Sequence, residues 1–243
     1  MLRIFEVEIK KLRSSKMWWM IMVGSILPAV ITYLSFLERA DLSWLEFIHV
    51  ALLTFNVQSL LTFSAFAAFL CAREYEENTM EVNLCYPYPR YYFLIVKWLI
   101  MLCIIAITTI LFVVFTLSFG AVLLSLPIEV DMLLKIILVL LQVIVMHFLL
   151  VPATIFIAML SRMAISGVIV GIVNMCLCMM LYQTNFIQYI PPCIPFVLAD
   201  HLLGMDVMLI EPNYIIHWSI LGGYSVLLFL SSCIVPVKIH GKE

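Results

Sequence analysis

Charge is what this chain has least of. Asp, Glu, Lys and Arg make up 12% of its 243 residues against 65% hydrophobic, and the mean hydropathy is +1.16. A soluble domain of that length has nowhere to hide so much apolar surface, so the sequence predicts an integral membrane protein. The net charge of −2 and the lack of a basic stripe leave no footing for nucleic acid as a partner. Glycine is scarce as well. The eight glycines contain no G-x-x-x-x-G-K-[ST] sequence, so the chain has no loop with which to cradle ATP phosphates. No Asp, Glu or Arg falls in the middle of a long apolar run, which removes the residues that a proton or ion relay normally uses. Of the seven cysteines, Cys176 and Cys178 form a C-x-C pair with no His or carboxylate nearby, so they read as small hydrophobic residues rather than metal ligands. Only Cys193 falls on an extracytoplasmic stretch, so no disulfide framework is implied. No catalytic, cofactor or metal site is expected.

What the chain does have is long apolar runs. They lie near 17–36, 48–71, 93–125, 134–161, 164–182 and 215–236, each near the roughly 20 residues that a helix needs to cross a bilayer core. The fold expected is all-α: a bundle of six transmembrane helices forming one domain over 1–243. The third run is too long for an upright helix, so it must tilt, extend past the bilayer or bend near Gly120. Pro28 and Pro152 read as kinks inside their spans. Residues 1–16 carry Glu6 and Glu8 among the basic residues and precede no small-residue cleavage site, so they are not expected to be a signal peptide. Leu2, Ile4, Phe5, Val7, Ile9 and Leu12 interleave with charge there, a pattern that suits in part an amphipathic helix in the membrane interface and equally a ragged cytoplasmic tail.

Lys and Arg set the orientation. With both termini in the cytoplasm, Arg3, Lys10, Lys11, Arg13, Lys16, Arg73, Arg90, Lys97, Arg162, Lys238 and Lys242 lie inside, and only Arg39 and Lys135 outside: 11 against 2 of the 13. The expectation is a multi-pass protein of the cell membrane. Within the spans, Asn56, Gln58, Gln142, His147 and Asn174 are the polar side chains, and such groups more often hydrogen-bond a neighbouring helix than bind a substrate. The fifteen methionines read as adaptable packing. Residues 183–214 are too apolar for a free loop and too broken, with Pro191, Pro192, Pro195 and Pro212, for a span. One or two short helices dipping into the outer leaflet are expected there. Asp200 and His201 are adjacent but have no third ligand, which is weak ground for a metal.

One stretch inside the chain combines dense charge with turn residues. It is the island CAREYEENTMEVNLCYPYPR, Cys71 to Arg90, followed closely by Lys97. From Glu74 to Leu84 it contains neither Gly nor Pro and is expected to form a short helix. Pro87 and Pro89 then stop it. Taken alone, such a segment is most simply a solvated loop. A charged helix closed by a proline turn also suits a docking knob.

Six spans, an interfacial N-terminal helix and a cytoplasmic island after the second span resemble the permease subunits of ABC transporters, in particular the six-span exporters that include lantibiotic- and bacteriocin-immunity permeases. In that family this loop carries acidic residues, Gly-Thr, a few apolar positions, a Pro-x-x-Arg turn and a lysine opening the third span. The counterparts here are Glu76 and Glu77, Thr79, Val82 and Leu84, Pro87-Tyr88-Pro89-Arg90 and Lys97. Asn78 stands where glycine is usual, and asparagine tolerates positive φ better than most residues. The resemblance implies that the island is a coupling helix, with Glu74, Glu76, Glu77, Thr79, Glu81, Val82, Leu84, Pro87, Arg90 and Lys97 at or near the groove of a separate ABC ATPase subunit. It also implies a second permease, identical or related, across a two-fold axis.

The missing phosphate loop and the missing intramembrane carboxylates agree with that reading, since an ATPase partner would supply the energy that neither feature provides here. A secondary transporter needs an internal repeat with broken helices at the midplane, and residues 1–125 and 126–243 show no convincing repeat. A membrane-embedded enzyme needs a polar constellation facing a cavity, and His147, Asn174 and Gln142 are scattered. The expected cargo is an amphipathic peptide or a hydrophobic compound, moved outward.

Overall fold

The computed structural model describes residues 2–14, 17–39, 43–77, 79, 90–124, 128–182, 184–203 and 213–234. All regular structure among them is helical: α1 (Leu2–Ser14), α2 (Trp18–Phe36), α3 (Trp44–Glu76), α4 (Arg90–Leu123), α5 (Val130–Ser161), α6 (Ile165–Leu181), α7 (Ile194–Leu202) and α8 (Tyr214–Ile234), with two 3₁₀ segments, Asn185–Tyr189 and Pro191–Cys193, ahead of α7. Five helices (α2, α3, α4, α5 and α8) are long and apolar enough to cross a bilayer, and α6 is a shorter apolar helix. The chain is a multi-pass membrane protein.

Several helices outrun their apolar runs. α3 starts at Ser43, whose hydroxyl accepts the Glu46 N–H at 3.3 Å. This Ser-x-x-Glu start is half of a capping box and places the first turn well before the hydropathy rises. At 33 and 34 residues, α3 and α4 are each about 50 Å long, some 20 Å more than a bilayer core. Gly120, where a bend was one expectation, lies within the continuous α4, and a Cβ there would collide with the Trp44 ring. α5 ends at Arg162, the one non-glycine residue with positive φ (56°) among those described.

α3 is the central helix. It is buried along most of its length and packs against α2, α4, α5, α6 and α7. Its closest neighbour is α6. Added Cβ atoms at Gly167 would collide with Ala68 Cβ and the Ser64 carbonyl, and at Gly171 one would lie 2.6 Å from Leu61 Cα. Gly167 and Gly171 are four residues apart on one helix face, the small-x-x-x-small spacing that lets membrane helices approach backbone to backbone.

Pro152 shows how a proline is accommodated. It has no N–H to give the Phe148 carbonyl one turn earlier. Trp98 of α4 supplies the replacement, its Nε1 donating to Phe148 O at 3.2 Å while its ring stacks on the Phe148 ring with centroids 4.4 Å apart.

The segment after α6 is described only in part. Residues 184–203 form the two 3₁₀ segments and the nine-residue α7, with Ile187, Cys193, Ile194 and Leu198 fully buried against the bundle. At about 14 Å, α7 is far too short to cross. Residues 204–212 lie outside the described residues.

Replacing Gly167 with valine is expected to push α6 off α3 and cost about 1–3 kcal/mol, read as a lower unfolding temperature in detergent. Gly222→Ala, whose added Cβ meets nothing within 4 Å, should leave that temperature unchanged. Equal responses would show that the glycines are not where the helices meet.

Candidate functional site

Lys97 stands seven residues into α4, about 10 Å above its start, with only 3% of its surface exposed. An ammonium group there needs carboxylates, and two other helices provide them. Its Nζ lies 3.0 Å from Glu74 Oε1 of α3 and 3.5 Å from Glu8 Oε2 of α1, and it donates to the Leu70 carbonyl at 2.6 Å. Three partners match the three protons of the group. Glu8 and Glu74 are themselves buried. Lys11 reaches both, at 2.7 Å to Glu8 Oε1 and 3.4 Å to Glu74 Oε1. Two cations and two carboxylates therefore form a neutral quartet joining α1, α3 and α4.

Burial opposes ionisation of Glu8, but the positive charge of Lys97 and the hydrogen bond and charge of Lys11 outweigh it and hold the carboxyl below the ordinary range. Arg73 adds a further tie, donating from Nη1 to the Lys11 carbonyl at 3.2 Å and from Nε to Glu77 Oε1 at 2.6 Å. A cavity of about 70 Å³ opens beside the quartet, with Glu77 and Thr79 also in its lining. The arrangement contains no nucleophile and base aimed at a common point. Its chemistry is that of a mechanical joint.

The end of α3 differs from the expectation of one helix from Glu74 to Leu84. Glu74 to Glu76 close the 33-residue helix, and Glu77 leaves it with φ −87° and ψ 2°. The Glu77 N–H bonds back to the Arg73 carbonyl at 2.8 Å and the Thr79 N–H to the Glu74 carbonyl at 3.0 Å. The second is the 6→1 bond of a Schellman-type terminus. Glu76 then turns away, its Oε1 accepting the Ala164 N–H at 2.8 Å. A carboxylate at that place caps the start of α6 and complements its dipole. Arg162, in the turn before α6, lies 5.9 Å above the Tyr75 ring.

The coupling residues read from the sequence thus divide. Glu74 and Lys97 meet in the quartet, Glu76 holds α6, Glu77 pairs with Arg73, and Thr79 closes the end of α3. Arg90 opens α4. Glu81, Val82, Leu84 and Pro87 lie outside the described residues. Sequence reasoning missed Glu8 and Lys11 as members of the site. The available signal was the lysine in an apolar run, which needs a carboxylate from elsewhere, and an acid three residues from a base on an amphipathic helix.

The other polar groups hold helices together. His147 Nε2 lies 2.9 Å from Ser59 Oγ and 3.1 Å from Asn56 Oδ1, joining α5 to α3, while Gln142 takes no part. Asp200, once a weak metal candidate, lies 2.5 Å from His49 Nε2 and fastens α7 to α3. Among the described residues no group of three His, Cys, Asp or Glu could hold a metal. Cys176 is exposed and Cys178 buried, so the C-x-C pair points to opposite faces of α6.

Lys97→Met leaves two buried carboxylates with Lys11 alone, and is expected to cost about 3–5 kcal/mol and to loosen α1, read as faster proteolysis within residues 2–14. The folded pKa of Glu8 is depressed, so its stabilisation is present above the ordinary carboxylate range and is lost as pH falls through the folded value. The deficit of Lys97→Met should accordingly narrow between neutral pH and about pH 4. Glu8→Gln added to Lys97→Met should recover part of it at neutral pH. A deficit independent of pH would contradict the quartet.

A comparison with curated proteins finds no match. The family model described as ABC-2 family transporter protein matches residues 4–180, a range that takes in α2, α3, α4, α5 and nearly all of α1 and α6. That range contains all four members of the quartet, the island and the Glu76 cap. With well over half of the chain matched, it belongs to the ABC-2 transporter family and is a multi-pass membrane permease of an ABC transporter, a transport subunit rather than an enzyme.

Proposed function

We propose that this permease is half of an ATP-driven exporter, and that a separate ABC ATPase subunit docks on the island between α3 and α4. One observation carries the reading: the helices on either side of the island, together with α1, are locked by a buried neutral quartet immediately above it. A loop that merely contacts solvent has no need of such a joint. A loop that is pushed by a partner does, because force applied to a loosely held segment would be absorbed there. ATP and its hydrolysis belong to the partner, and this chain holds no cofactor of its own.

In this reading α2, α3, α4, α5, α6 and α8 are the six crossings. At 17 residues, α6 is about 26 Å long, within the short end of the spanning range. The island, Lys97 and Arg162 face the cytoplasm with both termini, α1 lies in the inner interface of the cell membrane, and α7 lies in the outer leaflet. A second permease, identical or related, completes the path. Cargo of amphipathic-peptide or hydrophobic character fits the apolar spans, and bacteriocin immunity is the corresponding role.

The docking contact is assigned to Val82 and Leu84, with Glu77 and Glu81 near basic residues of the ATPase groove. Glu76 is engaged with α6 and acts by bracing the island. Charges at such a rim govern association rate and specificity more than affinity, so Glu77→Lys with Glu81→Lys should slow assembly, whereas Leu84→Asp, which buries an unpaired charge in the contact, should abolish it. Co-purification of the ATPase and its rate in reconstituted membranes measure both. If neither variant changes association or coupling, the island is a solvated loop and the docking assignment fails. The orientation is tested separately by a cysteine introduced at Glu77, which an impermeant reagent should label only from the cytoplasmic side.

A further inference from the structure

Two cysteines meet at the end of the molecule opposite the quartet. Cys178 lies 14 residues beyond Ala164 on α6, about 21 Å from the end that Glu76 caps. Cys193 closes the second 3₁₀ segment, just ahead of α7. Their Sγ atoms are 2.9 Å apart, and Cys178 and Cys193 are 1% and 0% exposed in a pocket walled by Val57, Leu60, Ile187 and Phe196. Nonbonded sulfurs rest farther apart than that. Bonded sulfurs sit near 2.04 Å, a closure of about 0.9 Å. Cys176 faces outward and is exposed, so it is not the partner.

We propose that Cys178 and Cys193 form a disulfide that ties the outer cap, residues 185–202, to α6. This rests on the orientation proposed above, which places both sulfurs on the extracytoplasmic side where disulfides persist. The oxidant is a disulfide-bearing thiol oxidoreductase of that compartment. One thiolate attacks the oxidant's disulfide to give a mixed disulfide, and the second displaces the oxidant as its dithiol. Two S–H bonds are lost and one S–S bond is made, and two electrons and two protons pass to the oxidant. The exchange precedes seating of the cap, since the pocket seals both sulfurs afterwards. The bond closes a loop of 15 residues and gives the cap a covalent anchor on α6 beside the His49–Asp200 anchor on α3.

The full chain is expressed in a host whose extracytoplasmic space contains a dithiol oxidase. Membranes are denatured in detergent with excess N-ethylmaleimide and no reductant, because the folded pocket would shield even free thiols. Reduction and a heavier maleimide follow, and labels are counted by mass spectrometry. The expected result is two heavy labels, on Cys178 and Cys193, retained in Cys176→Ser and absent from Cys178→Ser, where Cys193 takes the light label. No heavy label in the wild-type chain, or heavy labels that disappear in Cys176→Ser, overturns the proposal. A cysteine introduced at Asn213 then locates the failure. Labelled by an impermeant reagent from outside, it leaves the orientation standing and the disulfide alone refuted. Labelled only from inside, it shows that the orientation fell first.

Discussion

An ammonium group inside an apolar bundle is tolerable only while carboxylates stand beside it, and the end of this molecule where α1, α3 and α4 meet is arranged around that constraint. Lys97 is carried into the protein by the apolar α4, and α3 supplies it with a backbone carbonyl, that of Leu70. Glu74 and Glu8 come from two different helices, so satisfying one lysine fixes three elements at once. Lys11 completes the balance, because two carboxylates around a single cation would leave a buried negative charge. The amphipathic α1 owes its place as much to this pairing as to its apolar face: Glu8 is buried on one side while Val7 and Ile9 are exposed on the other.

Hydropathy made the long helices legible. Every long helix in the structure lies over an apolar run, and the break after α6 is where four prolines fall. Hydropathy could not find the helix ends, because α3 begins with Ser43 to Glu46 and ends with Arg73 to Glu76, polar residues whose helicity depends on caps and partners. The island shows the limit most clearly. Composition permits a helix from Glu74 onward, yet the chain leaves it at Glu77, and Glu76 is committed to Ala164, 88 residues away. Glu8 and Lys97 are 89 residues apart in the chain, and no local pattern reports that they meet. Lys97 was read from the sequence as the lysine opening the third span, and the carboxylates that its burial requires were not sought.

The opposite end meets the same requirement of internal satisfaction with different chemistry. There the His49–Asp200 pair and the Cys178–Cys193 contact hold a short, proline-broken cap, and nothing on the scale of the quartet recurs among the described residues. Between the two ends the groups are neutral. His147 draws on Asn56 and Ser59, and the carbonyl left free by Pro152 is taken by Trp98. This gradation follows the solvent. With the crossings placed as proposed, ion pairs fall where helices emerge toward water, and neutral hydrogen bonds occupy the middle, where an isolated charge costs most.

Most of these ties end on α3; the Cys178–Cys193 contact and the Trp98–Phe148 bond do not. His49 joins it to α7, Asn56 and Ser59 to α5, Gly167 and Gly171 bring α6 onto its backbone, and Leu70 and Glu74 receive α4 and α1. From His49 to Glu74 is 25 residues, or about 37 Å of unbroken helix. A helix joined to its neighbours at so many levels cannot slide past them one at a time, because each joint has a discrete geometry that is either made or lost. Under the proposed reading, a push on the island therefore reaches the outer cap as movement of α3 with the helices attached to it, and the joints that must break for the bundle to open are the ones not centred on Lys97. The contact of α3 with α6 is apolar, and the His49–Asp200 pair is a single tie, so these are the weaker places. In that reading, a transport cycle that rearranges the half away from the quartet while the quartet stays intact is the motion that this distribution of bonds favours.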